Sequence, residues 1–236
     1  NMILDDGGDL TNMVFDIYKC RDGIHYVGTQ NKGLAEWNPA TNQFQTYSES
    51  SKFGSIINTI YDITEDKHNN LWVASWGGLM QLDRKTKSFY FNIEKNLLTA
   101  KKLYSIHSLN HSDSLFITGE NGPVFFSLRD RQWKPCPENP MQTNAFIGRY
   151  IYEDENEILW ILLNAANGSN VCYAIQTDKK GFFWASTNTG LYRINPDNYT
   201  IQNYDLGNGL SFLEYNTACV VKESDGTLLF GGVGGI

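Results

Sequence analysis

The sequence predicts an all-β chain, a β-propeller of four-stranded blades, and three observations carry that expectation. The stretch 70–82, NLWVASWGGLMQL, is an alternating apolar strand, a tight turn of small residues and a second strand. The same phrase recurs as HYVGTQNKGLAEW at 25–37, LFITGENGPVFF at 115–126 and FFWASTNTGLYRI at 182–194, with shorter copies ILWILLN at 158–164 and LLFGGVGGI at 228–236. Aligned on the aromatic of the leading strand, the copies place Tyr26, Trp72, Phe116, Trp160, Trp184 and Phe230 at intervals of 46, 44, 44, 24 and 46 residues. A period of that length, with four strands in each, belongs to propeller blades and not to a sandwich.

Each repeat has the same parts. An opening strand comes first, at 14–19, 60–64, 103–109, 148–152, 171–176 and 218–222. An acidic turn rich in Asn and Gly follows, such as Glu65-Asp66, Glu153-Asp154, Asp178 to Gly181 or Asp225-Gly226. Those residues accept left-handed backbone angles or bond to their own chain. The aromatic strand, the small-residue turn and the Gly-Leu strand come next, then a second turn (38–42, 83–87, 195–198) and an outer strand (44–47, 89–91, 201–204). One such sheet cannot bury both of its faces, so the sheets must stack with Trp, Tyr and Phe between neighbours. Trp72, Trp160 and Trp184 are core residues on this reading.

The repeats fall at 13–58, 59–102, 103–146, 147–170, 171–216 and 217–236, forming a single fragment of about six blades from a seven-bladed propeller. The fourth and sixth are truncated. After Trp160 the chain runs through 161–164 and six polar or small residues, 165–170, straight into the next opening strand. The fourth blade therefore falls about 20 residues short of the period, as if a segment were missing between Asn164 and Asn170.

The formal net charge of −7 excludes a nucleic-acid backbone as partner, because no Lys/Arg cluster is present to meet phosphates. The cysteines, Cys20, Cys136, Cys172 and Cys219, are widely spaced with no CxxC pair, so buried free thiols are expected and no metal or cofactor site. The histidines, His25, His68, His107 and His111, fall on different strands and turns. No signal peptide and no apolar run of membrane-spanning length occurs, and both ends read as cut from a longer chain.

The unit Ile60-Tyr61-Asp62-Ile63-Thr64-Glu65-Asp66, followed by Leu71-Trp72-Val73-Ala74-Ser75 and Gly78-Leu79, resembles the two-component regulator propeller repeat. The resemblance covers nearly the whole chain, although the third unit departs from it with Phe116 for Trp and Pro123 for Leu. It implies the periplasmic sensor half of a hybrid two-component system of Bacteroides-type bacteria, most of the second of two tandem propellers. In that family an immunoglobulin-like domain, a membrane helix and a histidine kinase follow. The implied ligand is an oligosaccharide, and the implied working form a membrane-anchored homodimer that regulates polysaccharide-utilisation genes. The domain itself would touch no nucleic acid and catalyse nothing.

Sugar sites need exposed aromatics for stacking and amides or carboxylates for hydroxyls. In a propeller these come from the turns between second and third strands and from the interblade linkers. The candidates there are Gln30 and Asn31, Trp76, Glu120 and Asn121, Asn164 and Asn188, with Arg149 in an opening strand near the axis. Trp76 stands out because no strand packing calls for a tryptophan in that turn. A second reading is a propeller lyase or glycosidase using acids among Glu65, Asp66, Glu153, Asp154, Glu223 and Asp225. Those acids are expected as a ring of exposed turn charges, not as the convergent pair a glycosidase needs. A third reading is an interaction or dimerisation scaffold with no sugar affinity.

Overall fold

The structure is a computed structural model, and it describes residues 14–47, 58–91, 102–109, 111–120, 122–136, 146–165 and 171–235. It is all-β, built of four-stranded antiparallel sheets arranged as propeller-like blades, and the chain divides into two compact units, Asn1–Gln142 and Thr143–Ile236.

Unit 1 holds three complete sheets: β1 (Val14–Lys19), β2 (His25–Thr29), β3 (Leu34–Asn38) and β4 (Gln43–Tyr47); β5 (Ile60–Glu65), β6 (Leu71–Ser75), β7 (Gly78–Asp83) and β8 (Ser88–Phe91); β9 (Leu103–Ser108), β10 (Ser114–Gly119), β11 (Val124–Ser127) and β12 (Gln132–Pro135). Each is an up-and-down meander in chain order. The apolar positions alternate across the strands and meet between sheets. Tyr26, Leu34, Ile60, Ile63, Leu71, Val73 and Met80 fill the space between the first and second sheets. Trp72, Leu79, Leu103, Leu115, Ile117, Phe126 and Trp133 fill that between the second and third. Trp72 is 1% exposed, so it is the wedge that the repeat predicts.

Unit 2 begins with a two-stranded sheet, β13 (Phe146–Glu153) and β14 (Leu159–Ala165). A full sheet follows, β15 (Cys172–Thr177), β16 (Phe183–Thr187), β17 (Gly190–Ile194) and β18 (Ile201–Tyr204), and then a second pair, β19 (Tyr215–Lys222) and β20 (Leu228–Gly232). The half-length fourth repeat is thus a half-sheet among the described residues, and 166–170, where a missing segment is expected, lie outside them. Trp160 packs on Phe183 with ring centroids 4.2 Å apart, and Trp184 on Tyr204 at 5.0 Å.

The turn from first to second strand explains its own acid. Where the second strand carries Trp, the residue six earlier is Asp, and its carboxylate accepts the indole N–H: Asp66 from Trp72 at 2.8 Å, Asp154 from Trp160 and Asp178 from Trp184 at 2.9 Å each. The same carboxylates accept amides of their own turns, as Asp66 does from His68 at 2.8 Å and Asn70 at 2.9 Å. The expectation that these acids form an exposed ring fails for two of them. Asp66 is fully buried and Glu65 is 1% exposed in its side chain, held by the Arg21 amide at 2.9 Å and facing Arg84 at 3.6 Å.

The register moves the last repeat by one. Val221 pairs with Leu229 as Gln176 pairs with Trp184, so Leu229, and not Phe230, holds the tryptophan position. Phe230 faces the other side and is buried with Tyr215 and Leu191.

All four cysteines are free, and only Cys20 is fully buried; Cys136 and Cys172 are half-buried and Cys219 is exposed, which corrects the expectation of burial for the last. Burial, then the Glu65 carboxylate, pushes the Cys20 thiol up to about 12. Cys20 is therefore expected to resist iodoacetamide near neutral pH in the folded protein and to react once urea unfolds it, which peptide mass mapping reads directly. Modification of Cys20 under native conditions would show that the contact between the first two sheets opens.

Candidate ligand-binding site

At the end of three of the four full sheets, where the second strand turns into the third, a hydroxyl latches the turn. Thr29 donates to the Gly33 carbonyl at 2.8 Å, Ser75 to Gly78 at 2.8 Å and Thr187 to Gly190 at 2.9 Å. The latch requires a tight return, and Gly78 and Gly190 adopt it at φ 116° and 120°, backbone angles that a side chain would strain. The turn residues are thereby held outward on a fixed frame.

In unit 1 this frame presents Trp76, which is 39% exposed and whose amide donates to the Thr59 carbonyl at 3.1 Å. The Lys102 ammonium lies 4.2 Å from the centre of its ring, a cation–π contact, and 3.6 Å from the Glu120 carboxylate. The Glu120 amide in turn donates to the Lys102 carbonyl at 3.3 Å. Trp76 and Glu120, from neighbouring sheets, are thus joined through Lys102, a lysine that no repeat pattern marks. At the adjacent turn the Gln30 carbonyl accepts the Thr59 hydroxyl, and Asn31 is exposed. Asn121 lies outside the described residues.

A second feature of this end is a row of aromatics. Each opening strand of unit 1 carries a one-residue register shift, between Val14 and Asp16, Ile60 and Asp62, and in β9 opposite Thr118 and Gly119. The residues at the shifts are Phe15, Tyr61 and Tyr104, whose rings contact in series at 5.1 Å and 5.0 Å. A bulge re-aims a side chain, so these rings leave the alternation of their strands. An aromatic stands in second position of each opening strand of unit 1, but strand alternation alone does not bring the three together. Beside the row, Asp16 and Asp62 each accept the Ile63 amide at 2.9 Å, and Asp62 also takes the Ser105 hydroxyl at 2.6 Å and the Ile106 amide at 2.9 Å. Burial first, and then the neighbouring Asp62 charge, holds the Asp16 carboxyl well above its ordinary range.

In unit 2 the predicted amides serve the backbone. The Asn164 side-chain oxygen accepts the Cys172 amide at 2.7 Å, and the residue is 3% exposed. Asn188 is clamped to Val171 by two bonds of 3.1 Å. Arg149 sits at the register shift of β13, and its charge partly offsets the burial and the Glu214 carboxylate that push the Tyr173 phenol up. Among the described residues no group of three or more His, Cys, Asp or Glu is placed to hold a metal ion.

Residues 54–77 match the family described as two component regulator propeller. Over 230 residues the chain is 28% identical to Histidine kinase P4 of Formosa agariphila, an alignment that covers 96% of this chain. The chain is thus similar to proteins of two-component systems. It spans only 15% of the length of that curated relative. In fold it is similar to the extracellular domain of the hybrid two component system BT3049 from B. thetaiotaomicron, at TM-score 0.71 and 22% identity over 94% of this chain and 32% of that one. It is also similar to virginiamycin B lyase from Staphylococcus aureus, at TM-score 0.62 and 11% identity over 94% of this chain and 85% of that one. The propeller frame is thus shared with an extracellular domain of a two component system and with a lyase, and among the described residues no helix of this chain is long and apolar enough to cross a membrane.

Proposed function

We propose that this chain is the ligand-sensing part of a periplasmic sensor in a hybrid two-component system. It binds an oligosaccharide and passes its occupancy, through a membrane-anchored homodimer, to a histidine kinase that regulates polysaccharide-utilisation genes. The observation that carries the reading is the relationship to a histidine kinase along almost the whole chain. The turn-end frame of unit 1 supports it chemically. Trp76 offers a partly open aromatic face, while Lys102, Glu120, Gln30 and Asn31 supply polar groups beside it. Asn121, and in unit 2 Arg149, belong to the same reading as further contacts, while Asn164 and Asn188 contribute by fixing the backbone.

A glycosidase reading is weaker, because Glu65, Asp66 and Asp154 already have structural partners within their own turns or the adjoining sheet. Calorimetric titration of the complete tandem sensor against neutral, sulfated and uronate oligosaccharides tests the proposal. One class is expected to bind without turnover, and Trp76→Ala to weaken it about tenfold, the loss of one stacking contact worth about 1.4 kcal/mol. Binding by no sugar would leave an interaction scaffold as the better account, and steady product formation would favour an enzyme.

A further inference from the structure

At the other end of the unit 2 sheets, away from Asn188, a cleft of about 550 Å³ opens between the half-sheet β13–β14 and the full sheet that follows. That volume is within the range of small-molecule sites. Its floor is aromatic, with Trp160 packed on Phe183 at 4.2 Å, and Ile158, 51% exposed, flanks it. Tyr199 stands at its rim.

Tyr199 is anomalous twice over. It is 72% exposed, and among the described residues no ring or cation stacks on it. Its backbone is also left-handed, at φ 56°. The fifth residue of each third-to-fourth turn takes that conformation, and the other occupants are Asn42 at 53°, Lys87 at 60° and Arg131 at 53°. The seat favours Asn or Gly, and an exposed bulky ring in it has no packing reason to be there. The polar lining fixes what the ring could meet. Among the lining residues Asp154, Glu155 and Asp197 outnumber the one cation, Lys180, with the carboxamides of Asn156 and Asn195 beside them, while Arg193, stacked on the lining Phe182, is paired with Asp178 at 3.8 Å. Asp154 is held ionised: burial opposes its charge, but hydrogen bonds from the Trp160 indole and the Ile158 and Asn156 amides outweigh it and lower its pKa.

We infer that this cleft is a second saccharide site, in which Tyr199 stacks on a neutral pyranose and the surrounding carboxylates and amides accept and donate to its hydroxyls. It rests on the oligosaccharide-sensing reading and deepens it by naming the class: neutral sugars, because uronates and sulfate esters meet a net negative wall.

The test uses the 236-residue chain and calorimetric titration with cellohexaose, mannohexaose and xylohexaose, with an oligogalacturonate of equal length as the charged comparison. At least one neutral hexaose is expected to bind and the uronate to fail. Tyr199→Asn should cut the affinity at least tenfold while leaving the melting temperature equal or higher, since Asn suits the left-handed seat. Val233→Ala, at a 72% exposed residue outside the cleft lining, should leave this affinity unchanged. Equal affinity in Tyr199→Asn, preferential binding of the uronate, or no binding of any neutral hexaose each overturns the cleft. Loss on Trp76→Ala alone also overturns it, yet leaves the sensing proposal intact, which falls only if the complete sensor is silent as well.

Discussion

Replacing Asp66 by Ala is expected to lower the stability of unit 1 by about 3 kcal/mol, read as a fall in the urea midpoint at unchanged slope. The carboxylate is fully buried. It accepts the His68 amide at 2.8 Å, the Asn70 amide and side chain at 2.9 Å each and the Trp72 indole at 2.8 Å. Alanine removes every acceptor at once, and the indole, on a side chain 1% exposed, has no access to water in its place. Trp72→Phe is the complementary change: it keeps the wedge between sheets and strands the charge with one donor fewer, for about 2 kcal/mol. A loss below about 1 kcal/mol in Asp66→Ala would mean that the turn re-forms with water and that the pin is not what fixes the strand entry.

The other repeats support the same physics by what they lack. The residue placed like Asp66 is Cys20 before Tyr26, Leu109 before Phe116 and Glu223 before Leu229, each starting a turn whose first amide bonds across to the residue before the next strand. Asp occurs there only where a Trp follows. The acid and the indole are therefore one device, and the remaining repeats do without both. Seen this way, an Asp in this turn is a fastening, and its recurrence is no sign of catalysis.

The blades were legible because alternation and period are local facts: Val14–Lys19 and Ile201–Tyr204 are strands in the structure with the bounds the pattern predicts. What escaped the sequence is what depends on a neighbour. Glu65 looks like any turn acid, and only the approach of Arg21 and Arg84 from other turns shows why it is buried. The stacking of Lys102 on Trp76 joins residues 26 apart, across an interblade linker. The row of Phe15, Tyr61 and Tyr104 was not legible for a different reason, since a one-residue bulge re-aims the side chain at it and leaves no mark on composition. The last repeat is displaced by one because Leu229, which holds the tryptophan position, is not aromatic while its neighbour Phe230 is.

Asp16→Asn is expected to raise the melting temperature of unit 1 at pH 7–8, with the gain shrinking to nothing as the pH is lowered toward 4. Asp16 and Asp62 crowd one amide, Ile63, at 2.9 Å each. Burial and then the Asp62 charge lift the Asp16 pKa well above its ordinary 3.8, while Asp62 is raised by burial against the Ser105 hydroxyl, the Ile106 and Ile63 amides and the His107 charge. In the range between 3.8 and the raised value the folded chain holds a proton that the unfolded chain has released. Stability contributed by Asp16 is therefore complete below 3.8 and is lost as the pH climbs through the folded pKa. Asparagine stays neutral throughout and still offers an oxygen to Ile63, so it removes the penalty and keeps the bond. Asp62→Asn is the contrasting variant, because its carboxylate also serves Ser105 at 2.6 Å and Ile106 at 2.9 Å, contacts that a reoriented amide cannot all satisfy. Melting curves of both variants from pH 4 to pH 8 decide the matter: a pH-independent effect of Asp16→Asn would show that burial and the Asp62 charge do not hold the Asp16 carboxyl protonated beside the aromatic row.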